Sequence, residues 1–226
     1  MTLPAGNDST LHHLDDETRA LVRLAAFVTA ADELTIRDAI AKASKRIRPV
    51  WVEELLLQTY LFAGFPRALN AMREWRRVQP TSEPDHDVRS VEQWRADGER
   101  TCSAVYGTMY DKLRGNIRHL HERLDDWMIT EGYGKVLSRP GLDLGRRELC
   151  IVAACAAANQ DRQLHSHLHG ALNVGVKPDV VSSAIDVLAD VVGQDRYDAV
   201  RMLWSRVRNS QVKAPTVGAE RRLDEQ

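Results

Sequence analysis

The stretch from Gly141 to Gly175, GLDLGRRELCIVAACAAANQDRQLHSHLHGALNVG, constrains the fold more than any other part of the chain. A turn signal, Arg139-Pro140-Gly141, leads into an apolar, alanine-rich run from Leu149 to Ala158. Asn159, Gln160 and Asp161 interrupt that run. A second helical segment carries His165, His167 and His169 and stops at Gly175, placed just past a helix C-terminus. The pattern predicts two antiparallel helices joined by a short polar corner. Glu148 begins the first and His167 sits in the second, so a carboxylate and an imidazole can face each other across the hairpin.

Composition narrows the function classes. A chain of 226 residues can bury a real core as one large domain or two small ones. A net charge of -1, a pI near 6.7 and the lack of a basic stripe interleaved with aromatics argue against nucleic acid or an anionic membrane as partner. The run Leu149 to Ala158 is about half the length a membrane-spanning helix needs. The N-terminal MTLPAGNDSTLHHLDDE is polar and lacks a signal-peptide core, so a cytoplasmic protein is expected. The three cysteines, Cys102, Cys150 and Cys155, suggest neither a disulfide framework nor a zinc knuckle. His165 and His169 have the spacing of two metal ligands, but no third ligand is evident and no metal site is expected.

Apolar residues at helical spacing predict an all-α chain with no strand of useful length. Residues 1–13 read as a flexible leader. Helices are expected over Glu17–Thr29, Glu33–Ile47, Val50–Phe62 and Arg67–Arg77, with a break at Gly64-Phe65-Pro66. The first unit thus spans 14–78, and the proline-containing segment 79–90 is the linker. The second unit, 91–208, opens with helices over Val91–Tyr106 and Tyr110–Glu131. The latter should bury one face through Leu113, Ile117, Leu120, Leu124, Trp127 and Met128. Tyr133 to Ser138 reads as a connector. Helices from Pro178 to Val192 and Arg196 to Val207 follow the hairpin, and 209–226 reads as a flexible tail.

The hairpin's frame recurs near the N-terminus. Leu14-Asp15 followed by Arg19-Ala20-Leu21 repeats Leu142-Asp143 followed by Arg147-Glu148-Leu149 at an offset of 128, and Gly64 repeats Gly193 at 129. The expectation is a duplicated helical unit whose copies pack as a pseudo-dimer.

The run RPGLD, REL and IVAA, then QLHSHLHGALNVGV, resembles the carboxymuconolactone decarboxylase family, relatives of the AhpD-type alkylhydroperoxidases. Tyr106-Gly107 and Trp127-Met128-Ile129 extend the resemblance upstream. Residues 53–58 and Ala63-Gly64-Phe65-Pro66 match the family's third helix more weakly. The resemblance implies an AhpD-like all-α bundle, here a fused dimer that forms a ring or trimer of two-repeat chains. It also implies a small-molecule substrate and chemistry without metal or organic cofactor.

The peroxidase branch carries Cys-x-x-Cys with a histidine four residues on. Those cysteine positions are Gln160 and Gln163 here, and the histidine is His167, so thiol peroxidase chemistry is not expected. Glu148 matches the branch's proton-relay glutamate. The first copy has Ala20 and Asp38 at these two places and keeps Glu54 where the second copy has Ser183.

Decarboxylation leaves an electron-rich carbon that must be protonated, so the site needs a poised acid and a pocket for carboxylates. His167 is the candidate acid/base and Glu148 its orienting partner. Arg139, Arg162, Tyr133, Gln163 and Glu54 are the candidate substrate contacts. Without the resemblance His167 reads as a core histidine, and Arg147, repeated as Arg19, as a structural pairing residue. Two alternatives stay open: a recruited isomerase, cyclase or hydrolase, and a non-catalytic oligomeric scaffold.

Overall fold

The computed structural model describes residues 13–81 and 87–212. Most of the expected leader and tail, and part of the linker, lie outside them. The described chain is all-α, with no strand. The helices are α1 (Asp16–Ala30), α2 (Glu33–Ala43), α3 (Pro49–Val78), α4 (Val91–Tyr106), α5 (Tyr110–Leu120), α6 (Glu122–Trp127), a π-helix (Met128–Leu137), α7 (Leu144–Ala157), α8 (Asp161–Asn173), α9 (Pro178–Asp186) and α10 (Gln194–Val212).

Short polar side chains set where these helices start, by accepting from backbone N–H groups left unpaired in the first turn. Asp15 accepts from Thr18 N, Asp32 from Thr35 N and Asp143 from Arg146 N, while Ser90 and Gln93 form a reciprocal capping box. Gly64, at φ 80°, bends α3 instead of ending it, so the expected break is a kink within one long helix.

One core runs through the chain. Leu21, Leu24, Ala25 and Val28 of α1 and Leu149, Val152, Ala153 and Ala156 of α7 are all buried, and α1 packs along α7. Here Arg146 Nε donates to Thr18 Oγ1 at 2.8 Å and Arg146 Nη2 to Asp15 at 3.0 Å, while Arg146 Nη1 reaches Asp143 at 2.7 Å.

Two expectations fail locally. Residues 133–138 are not a connector, because most of them belong to the π-helix. A Cβ on Gly98 would strike the Ile129 carbonyl and one on Gly134 the Trp94 carbonyl, so glycine lets α4 lie directly on the π-helix. Tertiary packing there overrides local propensity. The 110–131 segment breaks at His121 and only part of its apolar face is covered: Leu113 and Met128 pack against the core and Ile117 is half-buried, while Leu120, Leu124 and Trp127 are 75%, 48% and 56% exposed.

Candidate active site

α7 and α8 form the predicted hairpin, and Asn159 turns its corner at φ 58°. Arg196 of α10 fixes the corner by donating to the Ala156 carbonyl at 2.7 Å and pairing with Asp161 at 2.6 Å. Gln160 donates to the Phe62 carbonyl at 3.3 Å, tying the corner to α3.

Across the hairpin Glu148 Oε2 lies 2.8 Å from His167 Nδ1. Glu148 is fully buried and His167 is 4% exposed. Gly170, one turn after His167, makes the approach possible: a Cβ there would sit 2.5 Å from Glu148 Oε2 and 2.7 Å from Val105 Cγ1. A carboxylate in its ionised form only accepts, so in that state Nδ1 is the donating nitrogen and Nε2 the one left for proton exchange. Glu148 Oε1 has no hydrogen-bond partner although it is buried. An unsatisfied buried acceptor costs about 1–3 kcal/mol, so Oε1 is open to a further donor.

Aromatic rings line the pair. Phe62 meets the His167 ring edge-on at 5.7 Å between centroids, and Tyr106 lies 6.4 Å away. The Tyr106 and Tyr133 rings meet edge-on, 6.1 Å apart. Burial pushes both phenols above their ordinary range, and the Glu148 charge adds to the effect. Burial likewise pushes the Cys102 and Cys155 thiols up to about 12, again with a contribution from Glu148, and raises Cys150 further. All three cysteines are free, buried and protonated at neutral pH.

Glu54 and Arg139 meet each other instead of the pair. Arg139 Nε lies 3.0 Å from both Glu54 oxygens, and Arg147 Nη2 reaches Glu54 Oε2 at 2.7 Å. Arg147, fully buried, also donates to Gln58 at 3.1 Å and to the carbonyls of Leu142 and Arg139. This ion cluster clamps α3 to α7. Arg162 and Gln163 are exposed in the first turn of α8, and Tyr133 is buried beside Tyr106. His165 and His169 stack edge-on at 4.9 Å. Burial and the His165 charge lower the His169 pKa. Among the described residues no three His, Cys, Asp or Glu side chains gather as a metal site, and no helix is long and apolar enough to cross a membrane.

Sequence reasoning missed Phe62, Gly170 and the role of Tyr106. Tyr106 lay inside the recognised pattern without a role, whereas Phe62 meets His167 from the distant helix α3, a contact that leaves no local signal. A cavity of about 740 Å³ opens between α1 and α2, and another of about 290 Å³ lies near Asn159 and Val192. Neither is lined by Glu148 or His167.

Residues 126–204 match the carboxymuconolactone decarboxylase family. The match takes in Tyr133, Glu148 and His167 and leaves out Phe62 and Tyr106. The chain is also similar to two curated proteins, each named Peroxisomal protein 2. That of Schizosaccharomyces pombe is 28% identical over 159 residues, covering 69% of this chain and 74% of the relative. That of Saccharomyces cerevisiae is 22% identical over 170 residues, covering 62% and 60%, so the chain spans less than two thirds of that relative.

Proposed function

We propose that the chain is a cofactor-free acid/base catalyst similar to 4-carboxymuconolactone decarboxylase, acting on a small carboxylated or lactone-type substrate. The buried 2.8 Å contact between Glu148 and His167 carries this reading. When the substrate's C–C bond to its carboxylate breaks, CO2 leaves and the electron pair stays on carbon. His167 delivers a proton to that carbon from Nε2, Glu148 stabilises the imidazolium beforehand, and solvent restores the proton. Phe62 and Tyr106, both half-buried, are the outermost side chains around the ring, and their movement would admit substrate. Tyr133 lines the inner wall, and Arg162 and Gln163 are the proposed contacts for substrate carboxylates. Glu54 and Arg139, already engaged with each other, hold α3 against α7. The protonated, buried cysteines argue against thiol peroxidase chemistry.

A tandem pair of copies belongs to this reading. Asp15 and Asp143, 128 apart, both cap helices, and Thr18 and Arg146, also 128 apart, touch each other, as equivalent residues do beside a two-fold axis. The exposed apolar side chains of Leu120, Leu124 and Trp127 support a homo-oligomer. The proposed compartment is the cytoplasm, where three free thiols stay reduced. The relatives' name makes the peroxisome the alternative, and imaging the tagged full chain separates the two.

Incubating the purified chain with 4-carboxymuconolactone and measuring released CO2 tests the activity. Turnover supports the reading, and its absence at substrate saturation sinks it. That neither described cavity borders the pair favours a second reading, a non-catalytic helical scaffold in which Glu148 and His167 only hold α7 to α8.

A further inference from the structure

The cavity between α1 and α2 follows one stripe of each helix. Positions 16, 19, 20, 23, 24 and 27 line it from α1 and 35, 38, 39, 42 and 43 from α2, each set at helical spacing, with Arg46 in the turn just beyond α2. The helices are antiparallel, so the Arg19 end of α1 lies beside the Arg46 end of α2, and Phe27 sits toward the turn. The stretch of α1 from Asp16 to Phe27 makes a slot about 16 Å long. Its volume, about 740 Å³, is in the range of small-ligand sites.

The slot has an apolar floor, and the end away from the α1–α2 turn carries three cationic side chains against the one acid Asp16. Ala20, Leu24, Phe27, Ala39 and Ala43 form the floor, and the alanines leave it hollow. Arg19, Lys42 and Arg46 gather at the end away from the turn, and among the described residues none of their side chains has an ion-pair or hydrogen-bond partner. Arg23 is held by Asp190 at 2.7 Å, which leaves Asp16 and Asp38 as the acids of the lining. In the α7–α8 hairpin the places of Ala20 and Asp38, by the offsets of 128 and 129, hold Glu148 and His167, with Val105 and Tyr106 of α4 packed against them.

We propose that this slot binds an amphipathic organic anion, a carboxylate with an unbranched apolar tail. The head pairs with Arg19, Lys42 and Arg46, and the tail runs along the alanine floor toward Phe27. A guanidinium or ammonium group unpaired at the mouth of an apolar groove gains from an anion there what it cannot gain from a neutral ligand.

Calorimetric titration of the full chain with hexanoate, octanoate, decanoate and 1-octanol tests this without reference to lactone turnover. The expected result is saturable one-to-one binding that tightens about three- to fourfold per methylene. Octanoate should bind at least tenfold more tightly than 1-octanol. The double variant Lys42→Gln/Arg46→Gln changes only exposed residues, so it should melt like the parent and bind decanoate at least tenfold more weakly. Ala39→Trp should fill the floor and abolish binding. No saturable binding, equal affinity for octanoate and 1-octanol, or an unchanged double variant overturns the proposal. So does an Ala39→Trp chain that keeps binding and instead changes oligomeric state, because the slot would then seat another protein copy.

Discussion

Glu148 Oε2 and His167 Nδ1 stand 2.8 Å apart with neither side chain open to solvent, on helices whose spacing is held by Gly170. In water such a pair contributes little, but burial strengthens it and makes the loss of either partner costly.

Gly170→Ala should break this arrangement without touching either partner. The added methyl would collide with Glu148 Oε2 and Val105, an overpacking cost of about 1–3 kcal/mol. A lower melting temperature together with impaired turnover is expected. A variant that melts and turns over like the parent would show that α8 can shift freely.

Glu54→Gln should destabilise more strongly, by about 3–5 kcal/mol, because it leaves the buried Arg147 guanidinium without its carboxylate. Urea unfolding measures this. A change below about 1 kcal/mol would mean that Gln58 and the two carbonyls suffice to hold Arg147.

The thiols set a pH dependence. Cys102 and Cys155 have folded-state pKa values raised from 9.0 to about 12. The neutral thiol is therefore the form favoured by folding. Their contribution is complete below pH 9 and is lost as pH rises toward 12, at about 1.4 kcal/mol per pH unit for each thiol. Unfolding midpoints should fall across that window, and less steeply in Cys102→Ala. A thiol reagent at pH 8 should label the native chain far more slowly than the unfolded one. Rapid native labelling would contradict the burial.

The hairpin, its polar corner and the facing of Glu148 and His167 were legible because each rests on local signals: a capping Asp143, an alanine-rich face and residues spaced by whole helical turns. The cap at Asp15 is equally local, whereas the capping box of Ser90 and Gln93 went unread. The π-helix was not, because Gly134 reads as a linker residue until α4 packs on it. Glu54 and Arg139 read as substrate contacts, but they pair with each other across 85 positions, which depends on how α3 crosses α7. Periodicity suggested a covered face at Leu120, Leu124 and Trp127, yet it cannot say whether the cover comes from the same chain.

The most direct test of the central claim is turnover of 4-carboxymuconolactone by His167→Ala, with and without added imidazole. The expected result is a drop of about 10²–10⁴ in kcat, partly restored by imidazole, in a chain that stays folded. Undiminished turnover in His167→Ala would contradict it.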